Sequence, residues 1–568
     1  MVSVTHPTPQ AEALDKLREA VLARFTGGVS PESLALAGFD WALHLAGAPG
    51  KRLALLRALG QPWPGSERLA ADPRFAATAW RGLPYRQQAQ AFLALQDWWQ
   101  AATHAVPGTA QHSEDVVAFV ARQCLDLIAP SNWPWSNPEV IERSVEQQGM
   151  NLLAGALQAG QDLRRRALGL PPDGTERFVV GRDVAATPGQ VVLRNRLIEL
   201  IQYSPTTPRV HAEPILIVPA WIMKYYILDL SAHNSLVRWL VDRGHTVFCI
   251  SWRNVGARER ELGMEDYRKL GVMAALDKIR RIVPRQRVHA AGYCLGGTLL
   301  AIAAAAMAGR GDERLASMTL FAAQTDFTEP GEMALFIDPA QLHMLDSMMW
   351  RRGFLTADQM AGAFQMLQSN DLIWSRAVRE YLMGEHAPMN DLMAWNADAT
   401  RMPYRMHSEY LHRLFLGNDL AAARYVVDGR AVSLNNLHLP IFLVGTENDH
   451  VAPWRSVYKL HHLTDADLTF VLASGGHNAG IVSEPGHPHR HYRIRTRKRC
   501  EVSLDAENWQ DRTSVEQGSW WPQWDDWLVS HGCGRRVPPR QAGPGPRALG
   551  RAPGKYVLGL DAELSAHR

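Results

Sequence analysis

Cys294 stands in GYCLGG, residues 292–297, with a glycine two places before it and another two places after. A Gly-x-Cys-x-Gly string suits a sharp turn that lifts a nucleophile clear of the backbone, and here the nucleophile is a thiol. VHAAG (288–292) before it reads as a strand, and LGGTLLAIAAAAMA after it as a helix. Gly292 and Gly296 leave room for the turn, and Gly297 for close approach of strand and helix. The helix would aim its free N–H groups and positive end at the sulfur, which favours thiolate. The backbone N–H of Leu295 is then a natural donor to an oxyanion. Taken alone, the string fits a small buried core cysteine as well.

Two later loops add partners. IFLVGTENDHVAPW puts Asp449 just past an apolar run, and SGGHNAG puts His477 just past the next one, in a Gly-rich loop. Asp449 would orient His477, and His477 would take the Cys294 proton. The order nucleophile, acid, histidine is that of the α/β-hydrolase triad. His450 is a rival base or a structural neighbour. The loop AWIMKYYILDL, after PILIVP, lies where such folds find a second oxyanion donor, here the backbone N–H of Ile222, while its aromatics read as packing. HPHRHYRIRTRKR (487–499) has no three histidines at helical ligand spacing, so no metal is expected there. Its charges read as a solvated face, with a phosphate-bearing substrate such as coenzyme A as the alternative contact.

The elements that must position these residues begin after a turn-rich boundary, LGLPPDGTERF (168–178). Beyond it, short apolar runs alternate with helical stretches at 214–219, 246–251, 288–292, 318–323, 441–445 and 468–473. Such runs suit buried parallel strands with helical crossovers, an α/β sheet covered on both sides. From Asp326 to Leu439 the connection is far longer than one helix. Segments such as AQLHMLDSMMWRRGF and SRAVREYLMGEH make it an inserted helical cap, about residues 328–438, over the carboxyl edge of the sheet.

The expected organisation is a mostly helical domain over 1–180, a catalytic α/β domain over 181–533, and a tail over 534–568. Within the first, Ser30-Pro31-Glu32 caps one helix, residues 86–106 form another, and EVIERSVEQQGMNLLAGALQAGQDLRRRAL a third helical segment. The Pro/Gly/Arg-rich tail is expected to lie extended or disordered. At 46% apolar and 21% charged, with a net charge of +3 over 568 residues, the composition is that of a soluble globular protein and argues against nucleic acid. Five scattered cysteines without CxxC fit reduced cytosolic thiols. No signal peptide and no transmembrane segment are expected. The nineteen tryptophans read first as core and interface filling.

A thiol in place of the usual hydroxyl changes what the site is suited to. A cysteine forms a thioester, which exchanges almost isoenergetically with a thioester substrate and keeps its transfer potential. Acyl transfer to an alcohol carried by the acyl group itself would yield a polyester, provided water is kept out.

Further segments carry a resemblance. They include FTGGVSPESLALAGFDWALHLAG, TPGQVVLRNRLIELIQYSPTT, ILIVPAWIMKYYILDL, GHTVFCISWRN, GYCLGGTL, AWNADATRMP, GGHNAG, GSWWPQW and APGKYV. Over nearly its whole length the chain resembles a class I polyhydroxyalkanoate (poly-β-hydroxybutyrate) synthase. The resemblance implies a helical amino-terminal domain and an α/β-hydrolase catalytic domain with a cap. It implies polymerisation of (R)-3-hydroxyacyl-CoA with release of coenzyme A, without metal or prosthetic group. The family's nucleophile, acid and base fall on Cys294, Asp449 and His477, and its oxyanion donors on Leu295 and Ile222. It further implies homodimers at the surface of cytoplasmic polyester granules, with the amino-terminal domain aiding attachment. Gln368 stands where an arginine assisting coenzyme A is common, PAWIM where Pro-Pro and Asn are usual, and Asn478 where an apolar residue is common. These departures bear on substrate preference. Two other functions fit the same residues: a thiol-dependent thioesterase or polyester depolymerase, and a non-catalytic granule-binding protein.

Overall fold

The six apolar runs become the middle of one ten-stranded sheet in a computed structural model that describes residues 8–360, 362, 373–541 and 549–560. Its strands are β1 (Gly189–Arg194), β2 (Ile198–Tyr203), β3 (Ile215–Val218), β4 (Val247–Trp252), β5 (Val288–Tyr293), β6 (Leu315–Phe321), β7 (Ile441–Thr446), β8 (Leu468–Ala473), β9 (His491–Arg497) and β10 (Val515–Gln517). Their order across the sheet is β1-β2-β4-β3-β5-β6-β7-β8-β9-β10. Strands β4, β3, β5, β6, β7 and β8 pair in parallel, as expected of apolar segments buried on both faces. Register sets their ends level: Val218 faces Gly292, and Thr446 faces Ala473. The loops carrying Ile222, Cys294, Asp449 and His477 therefore all leave the carboxyl edge, where open α/β sheets bind ligands.

Both flanks are antiparallel additions: the β1–β2 hairpin on one side, β9 and β10 on the other. The run 487–499 is therefore largely strand rather than simply a solvated charged face. Arg497 donates to the carbonyls of His461, Thr464 and Ala466 at 2.8, 2.8 and 2.9 Å. Its guanidinium thus closes off a neighbouring turn.

Two compact units divide the chain. One holds the sheet. The other takes the helices up to Asp173, together with Asp338–Met348 and Asp358–Met389 from the long interval before β7. The interval 328–438 is thus not a single cap. Hydrogen bonding explains the division: Gln341 accepts from Ser30 N (2.8 Å) and donates to Gly28 O (2.7 Å), and Ser33 Oγ donates to Asp338 at 2.6 Å. A Cβ on Gly155 would come within 2.0 Å of Tyr381 O, so that helix meets the segment backbone to backbone. Gln368 and its departure from the family pattern lie outside the described residues.

Within the helical unit, Ser30 caps Pro31–Gly47, accepting from Ser33 N at 3.2 Å with proline at the first position. The segment over 139–168 is two helices, Pro138–Glu146 and Met150–Ala167. Gln148 and Gly149 adopt positive φ of 52° and 81° between them, and Gly149 N closes on Ser144 O at 2.7 Å, which ends the first helix. No helix among the described residues is long and apolar enough to cross a membrane.

The described parts of the tail, 534–541 and 549–560, depart from the expectation. Arg536–Val537 pairs with Val210–His211, and residues 549–560 lie along the β1–β2 hairpin with Tyr556 and Val557 buried. Composition suggested an extended or disordered end. Specific backbone pairing ties this segment down: Ala552 N donates to Gly189 O, and Val191 N donates to Gly550 O, both at 2.9 Å.

At the turn before the elbow helix (Leu295–Ala308), a Cβ on Gly296 would fall 2.2 Å from Val218 O and 2.4 Å from Pro219 O, both fixed backbone atoms. Gly296→Ala is expected to destabilise the sheet-bearing unit by about 1–3 kcal/mol. Gly38→Ala, in a helix with nothing within 4 Å of the new Cβ, is expected to be neutral or to stabilise by about 0.5–1 kcal/mol. Scanning calorimetry of the two variants checks both.

Candidate active site

Strand β5 ends at Tyr293, and Cys294 turns the chain with φ 52° and ψ −128° before the helix begins at Leu295. A non-glycine residue in this region is strained, and the surroundings hold it there. Cys294 N donates to Phe321 O at 2.8 Å, while Gly297 N and Thr298 N return to Cys294 O at 2.8 and 3.2 Å. A Cβ on Gly292 would strike the Gly297 Cα at 2.5 Å, and one on Gly297 the Ala323 Cβ at the same distance. The glycines are there for closeness of approach, as the string suggested. Cys294 is half-buried, open enough to meet a ligand.

His477 and Asp449 join it. His477 Nδ1 lies 2.8 Å from Asp449 Oδ2, and that carboxylate is fully shielded from solvent. Asp449 is itself fixed by Thr446 Oγ1 (3.1 Å) and by the amides of Val451 (2.9 Å) and Ala452 (2.8 Å). Cys294 lies close enough to act on the imidazole, and with Nδ1 taken by Asp449, Nε2 is the nitrogen left for it. Burial by itself would lower the His477 imidazole; the charges of Asp449 and Cys294 outweigh it and raise the ring well above its ordinary value. Cys294, His477 and Asp449 thus come together at the carboxyl edge of the sheet, with His477 hydrogen-bonded to Asp449.

Leu295 opens the elbow helix, where the first N–H groups have no intrahelical partner. Ile222 lies three residues past Pro219, whose carbonyl is against Gly296, so its loop starts beside the elbow. That loop is tied at several points. Ile222 O accepts from Thr400 N at 3.3 Å, Trp221 O from the Thr400 hydroxyl, and Lys224 O from Trp395 Nε1 at 2.8 Å. Trp221 is buried against Trp252 and Tyr267, ring centroids 5.2 and 4.4 Å away, so it packs as expected. His450 is exposed, and among the described residues no hydrogen bond joins it to Cys294 or His477. Among the described residues no group of three or more His, Cys, Asp or Glu could hold a metal ion.

Several supporting residues escaped the sequence. Trp520 and Trp521 donate from their indoles to Gly480 O and Ile481 O, each at 3.0 Å, and so pin the loop that carries His477. Trp524 Nε1 reaches Thr319 Oγ1 on β6 at 3.0 Å. Asn478 accepts from the Tyr293 hydroxyl, and the Tyr293 ring lies 5.5 Å from the His477 ring. A polar residue at 478 thus has a partner of its own. Tyr410 stands among Phe327 and Phe415, with centroids 6.2 and 5.2 Å away; burial, and then the nearby Cys294, push its phenol up. The signal available beforehand was the tryptophan density of GSWWPQWDDW; nothing marked Tyr410.

The profile described as "Poly-beta-hydroxybutyrate polymerase (PhaC) N-terminus" matches residues 71–240, "Poly-beta-hydroxybutyrate polymerase N terminal" matches 9–51, and "alpha/beta hydrolase fold" matches 213–484. A poly(3-hydroxyalkanoate) polymerase of Methylorubrum extorquens is 40% identical over 490 residues, covering 86% of this chain and 80% of that one. The poly(3-hydroxyalkanoate) polymerase subunits of Rhizobium meliloti and Cupriavidus necator are 37% and 34% identical, each across 86% of this chain and across 79% and 83% of their own. Among solved structures, a monoacylglycerol lipase of Paleococcus ferrophilus covers 59% of this chain and 99% of its own, with 14% identity and a TM-score of 0.33. With relatives of that identity along most of its length, the chain belongs to the poly(3-hydroxyalkanoate) polymerase family.

Proposed function

We propose that the protein polymerises (R)-3-hydroxyacyl-CoA into polyhydroxyalkanoate through an acyl thioester on Cys294, releasing coenzyme A. The observation that carries this is the Cys294–His477–Asp449 line at a strand-to-helix turn, in a chain of this family. Cys294 Sγ adds to the thioester carbonyl of the substrate, and the carbonyl oxygen takes the negative charge. The N–H groups of Leu295 and Ile222 receive that oxyanion. As the tetrahedral intermediate collapses, the carbon–sulfur bond to coenzyme A breaks and the imidazolium of His477 protonates the departing thiolate. The hydroxyl of a second acyl group then loses its proton to His477 and attacks the Cys294 thioester. An oxygen ester forms, the sulfur is released, and the chain is one unit longer. Asp449 keeps Nδ1 protonated and Nε2 aimed at the sulfur throughout. The scheme calls on no metal or prosthetic group.

Residence at a polyester granule belongs to the same proposal. On the helix Pro31–Gly47, Leu36, Phe39 and Leu43 are all exposed and spaced three and four residues apart, one apolar stripe on an outer face. A stripe of this kind suits an apolar polymer surface. Glutamate at Phe39 and Leu43 together is expected to shift the protein from sedimenting polyester particles into the supernatant without changing its unfolding midpoint.

Incubation with radiolabelled 3-hydroxybutyryl-CoA tests the chemistry. Label bound covalently through Cys294, lost in Cys294→Ala, with insoluble polymer as product, is the expected result. Free hydroxyacid as the sole product would instead identify a thioesterase. Asp449→Asn removes the larger of the two charges that raise His477, so the ring loses its proton at lower pH and spends less time as the cation that favours the sulfur anion. Acylation is expected to fall about 10²–10⁴-fold in this variant. Alkylation of Cys294 by iodoacetamide at pH 6 is expected to slow with it, and more than at pH 9.

A further inference from the structure

A carboxylate with no exposure to water lies on β2, away from Cys294. Glu199 is completely buried, and its partners are known: Arg194, which holds one oxygen, and the backbone amides of Lys555 and Tyr556, which donate to the other at 2.8 and 2.9 Å. A Cβ on Gly554 would sit 2.3 Å from the same oxygen, so the backbone turns directly over the carboxylate with φ +89°. The Tyr556 hydroxyl donates to Asn195 O at the turn of the hairpin, and Arg194 reaches Leu549 O at 2.7 Å. A buried carboxylate satisfied by amides from a single remote segment fixes that segment's register. Residues 549–557 are in this way clamped to the β1–β2 hairpin at several points.

The far end of the clamped segment meets the loop after β3. Val557 is buried, and its carbonyl accepts from Lys224 Nζ. Lys224 lies two residues after Ile222; its ammonium also pairs with Asp398 at 3.1 Å, and the Tyr226 hydroxyl donates to the same carboxylate at 2.8 Å. Trp395 and Thr400 hold the same loop through its carbonyls, as described above. Without the Lys224 ammonium, the tie between Val557 and this loop would be lost.

We infer that residues 549–557 are a strap that positions the oxyanion-binding loop: Glu199 sets the strap, and Lys224 carries its position to the N–H of Ile222. Glu199 and Lys224 are positioning residues. Neither is placed at the reacting atoms. This rests on the proposed function in assigning Ile222 to the oxyanion.

Two reactions of one sulfur separate positioning from general damage. Iodoacetamide is attacked at a saturated carbon and develops no oxyanion, whereas acylation by (R)-3-hydroxybutyryl-CoA does. In Lys224→Met and in Glu199→Gln, single-turnover acylation of Cys294 is expected to fall by about 10²-fold, the cost of a donor displaced by an ångström. Alkylation should stay within about twofold of the wild type. Because both act through one link, the double variant should be no slower than the slower single variant. Hydrogen exchange over the amides of 221–226 should quicken in both. Unchanged acylation, an equal loss in acylation and alkylation, multiplying effects in the double variant, or unchanged exchange over 221–226 would each overturn the strap. A wild-type protein that alkylates at Cys294 and never acylates there would overturn the proposed function instead, and the exchange measurement would still decide the strap.

Discussion

Holding a cysteine at φ 52° costs about 1–3 kcal/mol in backbone strain, and the rest of the site depends on that cost being met. The turn can exist because three neighbours lack side chains. Gly292 and Gly297 let β5 and the elbow helix touch, and Gly296 lets the helix rest on the carbonyls that end β3. The helix itself is buried from Leu295 through Met307. Close packing on every side fixes the angle at which it leaves the strand, and that angle fixes where Sγ and the Leu295 N–H point. Substitution anywhere along this contact would move the sulfur.

Around that rigid turn the remaining groups are delivered by loops, the Asp449 turn tied from within and the other two from outside. The Asp449 carboxylate is held by a hydroxyl and two amides of its own turn, the His477 loop by two indoles from the helix Trp521–Ser530 and its cap residue, and the Ile222 loop by Thr400 and Trp395. The division of labour follows from burial. Apolar contacts give the sheet its stability, but they are non-directional. Directional bonds to loop carbonyls set the orientation that chemistry at an acyl carbon needs.

Much of this was legible in the sequence, and the boundary is physical. The six central strands announced themselves because a strand buried on both faces must be apolar throughout. Cys294, Asp449 and His477 were legible because Gly-rich turns at strand ends are local in sequence. The β1–β2 hairpin and β9 were hidden by their charges: in HYRIRTR the alternate positions are arginines, of which Arg493 and Arg497 spend their guanidinium groups on nearby carbonyls, where composition alone assigns all three to a solvated surface. The break at Gln148–Gly149 was masked by helical patterning that continues across it. The ties between 549–557 and Glu199, or between Trp520 and Gly480, join residues with no shared local pattern. Gly554 and Tyr556 look like any turn until the buried carboxylate above them is seen. The interval before β7 was read as one cap because its helices look alike in sequence, while the hydrogen bonds of Gln341 and Asp338 that divide it are long-range.

The sheet order has a consequence for the order of synthesis. The sulfur follows a strand completed near the middle of the chain, while the loop of His477 is pinned by indoles made more than two hundred residues later. A ribosome-bound chain therefore carries its thiol for many seconds before any imidazole is locked beside it. Through that interval Cys294 is an ordinary small thiol on a nascent polypeptide. The setting of His477 is completed only when Trp520 and Trp521 have been made, so the geometry around Cys294 is among the last parts of the fold to form.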